Sequence, residues 1–411
     1  MRQEVRLERM VHGGAALTRL PDGRVALVKG GLPGERVVAE LEPARGVLQG
    51  HVVEVLEAAA ERVEPPRHPG LDYGFVAYER QLELKREVVA DALRRACGEE
   101  REVPRVRPAP ALWSYRSAVQ PAVARRGLGY RRSGSHELVV LEVDPVANEA
   151  LEAAWAVLRE RVDELRGVRE VAMRGNDAGE ALVALVTTRS ERDLVPLAHE
   201  LVRAGLVGVS HAPFDPRGRF RRGSSRLAGA RTLRQRFGGF ELTVAATSFA
   251  QPNAHAAGAL YLELERWLPR GHHAWDLFAG GGAIAFHLAR SFEAVTAVEI
   301  DRSAVARGER DAERLGLANV RFVRADARRA PLPADAELVA VDPPRAGLSA
   351  EVRRSILASG VPRLLYVSCD PATWARDVAA FERGGLHLAR FEPFDFYPHT
   401  HHIEVLSLFE R

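Results

Sequence analysis

The 411-residue sequence predicts an α/β protein with a doubly wound parallel sheet in its C-terminal part. From about residue 241 onward, apolar strand-like runs alternate with helix-like segments, which is the pattern of a parallel sheet covered by helices. Before this part come short alternating strands broken by glycine turns, and then a mixed region. We therefore expect an OB-like β-barrel over residues 1–58, an α+β domain over 59–240 and a doubly wound domain over 241–411.

The composition is that of an ordinary globular protein, with 46% hydrophobic and 27% charged residues and room for two or three domains. No apolar run is long enough to span a bilayer, and the first residues carry no apolar signal region. Two cysteines, Cys97 and Cys369, exclude a disulfide framework. We expect a cytoplasmic protein without a membrane partner, and the sequence gives no indication of its oligomeric state.

The formal net charge is only +3, so charge alone does not predict a nucleic-acid-binding protein. Lys29 and Lys85 are the only lysines, and the remaining basic residues are arginines. Arginine is suited to bidentate phosphate contacts and to stacking on bases. The same bias also follows from a GC-rich genome, so both explanations stay open.

The N-terminal part favours a small barrel because segments 25–28 and 36–40 read as short strands on either side of the glycine-rich segment 30–34. Such a barrel offers a surface for RNA backbone, and a purely structural β-module is the alternative. A proline-rich linker precedes a predicted helix over 78–95, which Gly98 terminates. Cys97, just past the apolar stripe of this helix, is interpreted as structural.

The middle region is predicted to be α+β, with strands at 111–123, 138–143, 168–173 and 181–187 and helices at 145–166 and 194–204. Its most conspicuous stretch, residues 217–236, contains eight arginines and no acidic residue. Interleaved glycines and serines disfavour a stable helix there. A solvated loop is the ordinary explanation, but an acid-free arginine run favours phosphate contact. The residues assigned to this contact are Arg217, Arg219, Arg221, Arg222 and Arg226.

The C-terminal region is predicted to alternate strands at 273–278, 294–299, 320–323, 337–342 and 363–367 with helices at 283–290, 303–315, 350–358 and 372–382. The loop Asp276-Leu-Phe-Ala-Gly-Gly-Gly282 follows the first strand, and its glycines allow close approach to a ligand. Glu299 ends the second strand, where an acid can accept ribose hydroxyls, and Asp326 follows the third. Together these residues predict a nucleoside-bearing cofactor. No phosphate loop is present, which favours S-adenosylmethionine.

The fourth strand ends in Asp342-Pro-Pro-Arg-Ala-Gly347, a pattern typical of methyltransferases that act on planar nitrogen groups or bases. Cys369 ends the fifth strand. A buried thiol is the ordinary explanation, but polar neighbours and a following helix N-terminus are expected to lower its pKa. Glu404 begins the last apolar strand, an unusual place for an unpaired carboxylate, and it is a candidate general base. The histidines at 399, 401 and 402 lack the partners of a metal site, so no metal is expected.

The chain resembles the RNA 5-methyluridine methyltransferases over nearly its whole length. The resemblance is carried by the barrel segment 30–38, which is similar to a TRAM domain, and by the Asp276–Gly282 loop. It is also carried by the motifs Ser248-Phe-Ala-Gln-Pro-Asn253, Asp342-Pro-Pro-Arg-Ala-Gly347, Ser368-Cys-Asp-Pro-Ala-Thr373 and 399–404. The resemblance implies a Rossmann-like class I methyltransferase domain that uses S-adenosylmethionine to methylate C5 of a uridine in RNA.

By the same resemblance, Cys369 is the nucleophile that adds to C6 of the uracil and Glu404 is the base that removes the C5 proton. The residues expected to line the cofactor and uracil site are Gln251, Phe278, Gly280, Glu299, Asp326 and Asp342. The barrel and the chain length favour ribosomal RNA. The alternatives are uridine in transfer RNA, C5 of a cytosine in ribosomal RNA, and a non-catalytic RNA-binding factor on a methyltransferase fold.

The sequence departs from the family pattern at two places. Many ribosomal members hold an iron–sulfur cluster through four cysteines, whereas segment 65–73 of this chain contains none, so no cluster is expected. Ala283 ends the glycine loop where family members often carry asparagine, and one cofactor contact is expected to be missing.

Overall fold

A computed structural model describes residues 1–44, 46–132, 135, 137–330, 332 and 335–411. The strands are β1 (Arg2–Arg6), β2 (Arg9–Val11), β3 (Ala15–Arg19), β4 (Val25–Lys29), β5 (Arg36–Ala44), β6 (Val47–Glu57), β7 (Ala118–Val119), β8 (Ala122–Ala124), β9 (Gly127–Arg131), β10 (Leu138–Leu141), β11 (Val168–Gly175), β12 (Ala181–Thr187), β13 (Gly208–Pro213), β14 (Ser225–Gly229), β15 (Leu233–Phe237), β16 (Phe240–Val244), β17 (Gly271–Leu277), β18 (Phe292–Glu299), β19 (Val320–Arg324), β20 (Leu338–Val341), β21 (Arg363–Ser368), β22 (His387–Phe394) and β23 (Glu404–Glu410). The helices are α1 (Tyr78–Cys97), α2 (Glu149–Glu160), α3 (Glu191–Arg203), α4 (Ala254–Trp267), α5 (Ala283–Leu288), α6 (Arg302–Arg314), α7 (Ala350–Ser359) and α8 (Pro371–Arg383).

The chain forms two compact units. The first combines residues 1–109 with residues 342–411, and the second comprises residues 110–341. The domain boundaries near residues 58 and 240 remain predictions. None of the helices in the described ranges is long and apolar enough to cross a bilayer.

The first unit begins with a six-stranded sheet in the order β1-β5-β6-β4-β3-β2. Its core contains Val28, Val37 and Ala39, all fully buried on alternating strand positions. The predicted small β-rich module is therefore confirmed. The Thr18 hydroxyl of β3 donates to the Arg6 carbonyl of β1 at 2.7 Å. Between the described residues of β1 and β2 no ladder forms, so the sheet is not closed into the predicted barrel. β2 has only three residues and offers little backbone for such pairing.

Helix α1 confirms the helix predicted over 78–95. Gly98 ends it in a left-handed conformation (φ 77°), and its N–H donates to the Arg94 carbonyl at 3.0 Å. Leu84 and Val88 pack into the core of the N-terminal sheet. On another side of the helix, the Lys85 ammonium lies 2.6 Å from the Asp395 carboxylate, and both side chains are fully buried.

The C-terminal part of the first unit is built on antiparallel strands in the order β21-β23-β22. Strand β21 is an apolar run whose residues are nearly all buried, as expected for a central strand. Its register with β23 pairs Leu364 with Phe409 and Ser368 with Val405. Helices α7 and α8 belong to the same unit, and both were predicted.

The second unit contains a mixed sheet in the order β10-β9-β8-β11-β12-β13-β14, with β7 also paired to β11. Helices α2 and α3 pack on it around buried residues such as Trp155 and Leu201. The strand predicted over 111–123 is wrong in extent, since only β7 and β8 form there. The helix predicted over 145–166 is also too long. It begins at Glu149 because the Asn148 side chain caps it by accepting from the Leu151 N–H at 3.1 Å.

The same unit contains parallel strands in the order β19-β18-β17-β20, with α5 following β17 and α6 following β18. This alternation confirms the predicted doubly wound pattern. The carboxyl ends of β17, β18 and β19 lie side by side, because Leu277 pairs with Val298 and Glu299 pairs with Arg324. Polar groups that follow these strands are therefore neighbours. Helix α4 and the hairpin β15–β16 were not predicted.

Candidate active site

Cys369 lies directly after β21 and directly before α8, in a half-buried position. Asp370 is the N-cap of α8, and its carboxylate accepts a hydrogen bond from the Thr373 N–H at 2.9 Å. Pro371 occupies the first helical turn, where its missing N–H is not needed. A buried strand and a capped helix therefore hold the thiol at a defined strand end.

Glu404 is brought to Cys369 by the register of β21 and β23. The register of these antiparallel strands ends with Ser368 paired to Val405, so Cys369 directly follows one residue of this last pair and Glu404 directly precedes the other. The two side chains are close enough for the charge of Glu404 to act on the Cys369 thiol. Glu404 is 2% exposed, and its Oε2 has no hydrogen-bond partner among the residues that the structure describes. An unpaired buried carboxyl group is costly, which indicates a function for this side chain.

The electrostatics of this pair differ from the prediction. Burial, reinforced by the carboxylates of Glu404 and Asp342, raises the pKa of the Cys369 thiol to about 12. Burial, reinforced by Asp342, likewise raises the pKa of Glu404 well above its usual value. The expectation that the helix N-terminus would lower the thiol pKa is therefore wrong, because burial and neighbouring negative charge outweigh it.

Arg345 opposes both effects, since its positive charge lowers the pKa of Cys369 and of Glu404. It lies in the loop that Asp342 begins, directly after β20, and its carbonyl accepts from the Thr373 hydroxyl at 3.1 Å. Arg345 was not predicted as a site residue, although it lies in the motif that Asp342 begins. Its place in that motif was the one sequence feature that could have indicated its role.

Two of the three histidines before β23 form hydrogen bonds with polar side chains of the first unit. The His399 N–H donates to Gln81 at 2.8 Å, and His401 Nδ1 lies 2.5 Å from the Asp72 carboxylate. Among the described residues, no group of three or more His, Cys, Asp or Glu side chains is arranged to hold a metal ion. The absence of a metal remains a prediction.

The glycine loop of the second unit contacts the end of β18. Phe278 (φ 67°) and Gly280 (φ 55°) both adopt left-handed backbone, which turns the chain sharply between β17 and α5. The Gly280 N–H donates to Glu299 Oε2 at 2.9 Å, and the Asp301 N–H donates to Glu299 Oε1 at 2.7 Å. The structure thus brings together three of the predicted cofactor residues, Phe278, Gly280 and Glu299.

This loop fits a nucleoside-bearing group. A Cβ added to Gly280 would meet no atom within 4 Å, so the backbone there faces open space. Ile300, next to Glu299, is 60% exposed and offers an apolar face beside a carboxylate. Asp326 follows β19 as predicted, but it is paired with Arg328 at 2.6 Å, whose hydrogen bonds hold its pKa at about 2.

Gln251 lies in the segment that leads into α4 and is 9% exposed. Arg174 of β11 fixes this segment, because its guanidinium donates to the carbonyls of Ser248 at 2.8 Å and Ala250 at 3.4 Å. Between these two residues, Phe249 is 80% exposed. Sequence reasoning did not select Phe249, because exposure of one aromatic residue leaves no periodic signal.

The arginine stretch is more ordered than the predicted loop, since it includes β14 and most of β15. The five assigned arginines are exposed, but an acid just before the stretch binds two of them. Arg217 lies 2.9 Å and Arg222 3.5 Å from the carboxylate of Asp215. Arg219 and Arg221 form no ion pair with the described residues.

The chain is similar to known RNA methyltransferases in sequence and fold. Residues 334–411 match the family described as tRNA (Uracil-5-)-methyltransferase, and residues 274–356 match a general methyltransferase domain. The chain is 32% identical to the 23S rRNA (uracil(1939)-C(5))-methyltransferase RlmD of Pseudomonas entomophila, over 100% of this chain and 94% of that protein. It is 33% identical to an uncharacterized RNA methyltransferase of Thermosynechococcus vestitus, over 98% and 97% of the two chains.

Among solved structures, the fold is similar to that of the Pyrococcus abyssi tRNA (uracil-54, C5)-methyltransferase, which was crystallised with S-adenosyl-L-homocysteine. The TM-score is 0.80, the similarity covers all of both chains, and the sequence identity is 23%. At this identity the similarity describes the fold.

Proposed function

The chain belongs to the RNA (uracil-5-)-methyltransferase family, and on that premise we propose that it methylates C5 of a uridine in 23S ribosomal RNA through a covalent adduct of Cys369. The observation that carries the proposal is the register of β21 and β23, whose last pair, Ser368 and Val405, adjoins both Cys369 and the buried carboxyl of Glu404. The similarity to a relative named for 23S rRNA supports ribosomal over transfer RNA. The composition predicts that the reaction takes place in the cytoplasm.

The cofactor is S-adenosylmethionine, which supplies an electrophilic methyl group when bound. The residues of the second unit that would hold it are the Phe278–Gly280 turn and Glu299, with Asp326 and Gln251 as further candidates. Glu299 already orders the glycine loop, so its carboxylate both shapes this site and presents an acceptor for ribose hydroxyls. Ile300 offers an apolar surface for a planar base.

The reaction needs a nucleophile because C5 of uracil reacts poorly with an electrophile. Addition of the Cys369 sulfur to C6 converts the ring into an enolate whose C5 is nucleophilic. Once C5 carries the methyl group, Glu404 removes the C5 proton. The C5–C6 double bond then re-forms, the C6–S bond breaks, and Cys369 leaves as the thiolate.

The charges around Cys369 suit this cycle. The raised pKa of Glu404 gives the conjugate base a high proton affinity, which a base that removes a proton from carbon requires. Arg345 favours the ionised forms of both groups, so it assists thiolate formation. Asp342 opposes ionisation and is proposed to hydrogen-bond the uracil edge.

The RNA surface is proposed to include the five assigned arginines and Phe249. Ser224 and Thr247 are joined by a hydrogen bond of 2.9 Å between their hydroxyls, which links the arginine stretch to the turn before Phe249. Exposed aromatic rings bind unstacked RNA bases, and arginines contact phosphates. The target uridine must leave its stack before Cys369 can reach C6.

The test is mass spectrometry of RNA nucleosides after incubation with isotope-labelled S-adenosylmethionine, with ribosomal and transfer RNA in separate reactions. Wild type and the control Cys97→Ala, which changes the other cysteine, should produce 5-methyluridine in ribosomal RNA. Cys369→Ala should produce none. Methylation by both wild type and Cys369→Ala, or by neither, contradicts the catalytic assignment, and 5-methylcytidine instead would favour the cytosine alternative.

A further inference from the structure

A single turn of the N-terminal sheet reaches the segment that carries the nucleophile. Strands β2 and β3 pair from Val11 to Ala15, and residues 12–14 between them form a tight turn, called here the glycine turn. His12 Nε2 lies 2.9 Å from Oδ2 of Asp370, the residue directly after Cys369. Both residues belong to the first unit.

The same turn lies against the segment that precedes the base. A Cβ added to Gly14 would stand 2.6 Å from Asp72 Oδ2 and 3.1 Å from the His401 Cβ, so only glycine fits there. Asp72 accepts a hydrogen bond from the His401 N–H at 3.1 Å, and Glu404 follows three residues later. The glycine turn therefore contacts both the nucleophile segment and the base segment.

Asp370 transmits this contact to the thiol in two ways. Its carboxylate caps α8 through the Thr373 N–H, which fixes the backbone next to Cys369. Its negative charge also opposes ionisation of Cys369. Burial alone would raise the pKa of Asp370, but the hydrogen bonds from His12 and Thr373 lower it to about 2. The hydrogen bond from His12 thus stabilises a carboxylate that would otherwise act more strongly against the thiolate.

We propose that His12 is a positioning residue for Cys369, and that the glycine turn makes the N-terminal sheet a structural part of the catalytic site. His12 holds the Asp370 carboxylate in its capping orientation, and their hydrogen bond draws part of the negative charge away from the thiol. The effect on the thiol needs no RNA, whereas the effect on methylation rests on the function proposed above. No assigned residue of the reaction comes from this sheet.

The first experiment measures the rate at which iodoacetamide alkylates Cys369, without RNA, in a Cys97→Ser background. His12→Ala should slow alkylation about three- to tenfold, because loss of the hydrogen bond to Asp370 raises the thiol pKa and lowers the thiolate fraction. His12→Gln should retain more of the rate, since its amide can still donate to Asp370. His51→Ala, an exposed histidine of the same sheet, should leave the rate unchanged.

Removing the charge should reverse the defect. The double variant His12→Ala with Asp370→Asn should alkylate faster than His12→Ala alone, because no carboxylate then needs to be offset. A purely structural defect would not be relieved by this second change. Alkylation of His12→Ala at the wild-type rate, or a defect that Asp370→Asn does not relieve, would overturn the proposal.

The second experiment separates kcat from KM in methylation. His12→Ala should lower kcat about tenfold while KM for RNA changes less than about twofold. A change in KM alone would make His12 an RNA contact and overturn the proposal. Gly14→Ala should also lower kcat, and more than Gly13→Ala, since both residues have left-handed φ but a Cβ at Gly13 meets no atom within 4 Å.

Two controls keep the result interpretable. Thermal melting identifies variants that have lost their fold, and His12→Gln then carries the comparison in place of His12→Ala. If wild type methylates no RNA, the proposed function fails while the alkylation rates still decide the role of His12.

Discussion

Glu404 shows how one residue can link structure and chemistry. A carboxyl group that begins a buried strand, with one oxygen lacking a hydrogen-bond partner among the described residues, destabilises the fold, so the role proposed for Glu404 carries a cost in stability. Its position next to the Cys369 segment follows from the register of β21 and β23, which ends at the pair of Ser368 and Val405.

Replacing the proposed base should stall the reaction after methyl transfer. Glu404→Gln keeps the size of the side chain but cannot accept the C5 proton, so the Cys369–C6 bond cannot be eliminated. We expect a covalent protein–RNA adduct that survives denaturing gel electrophoresis, and a turnover rate lowered by about 100-fold or more. The control is Glu410→Gln at the exposed end of the same strand, which should turn over normally. Ordinary turnover by Glu404→Gln would remove this residue from the mechanism.

Cys369 and Glu404 were predicted as site residues, but their environment was not. Their identities follow from motifs in which neighbouring residues are visible. The raised thiol pKa depends on burial and on Asp342, which only tertiary packing brings near. His12 was not selected because its partner, Asp370, lies at the far end of the chain and hydrogen bonds at such separation leave no pattern in the sequence.

At the scale of elements, periodic segments were predicted well and irregular ones were not. The strands and helices from β17 to α6 form within about two residues of the predicted bounds, because strand-like and helix-like segments alternate clearly there. Helix α4 was not predicted, although its N-cap, Asn253, is the last residue of the motif 248–253. No strand was predicted in the arginine stretch, because its interleaved glycines and serines interrupt a strand pattern. Strands β14 and β15 are stabilised there by pairing with β13 and β16.

The arginines of this stretch should differ in their contribution to RNA binding. Arg219→Ala and Arg221→Ala remove exposed charges that have no ion pair among the described residues. Each should weaken RNA binding and reduce the slope of log K against log salt by about 0.7 to 1. Arg166→Ala changes an arginine that is 84% exposed outside the stretch and should leave the slope unchanged. The measurement is a salt titration by fluorescence anisotropy, and equal slopes for all variants would exclude this surface from the RNA contact.

At the scale of the whole molecule, the first unit joins residues 1–109 to residues 342–411. Each predicted domain is one continuous stretch of sequence, because the sequence pattern alone cannot show that distant segments pack together. The buried pair of Lys85 and Asp395 is one connection between the two segments. Burial lowers the pKa of Lys85 while Asp395 raises it, so the charged state of the lysine depends on this partner.

Breaking this pair should destabilise the first unit. Lys85→Met leaves the Asp395 carboxylate buried without its cation, which should cost about 3–5 kcal/mol in the free energy of unfolding. Lys29→Met, at the exposed position of the only other lysine, should cost far less. Chemical denaturation followed by circular dichroism measures the difference. A loss below about 1 kcal/mol for Lys85→Met would show that the pair contributes little.

The division of the first unit between two segments also has a consequence for synthesis on the ribosome. The 232 residues of the second unit, 110–341, are made between the two segments. At about 5–20 residues per second, this takes roughly 10 to 50 s. During that interval Lys85 has no Asp395, and the face of α1 that carries Lys85 remains hydrated. The nascent N-terminal sheet must therefore persist without its later partner, and Glu404 joins Cys369 only after nearly the whole sequence has been translated.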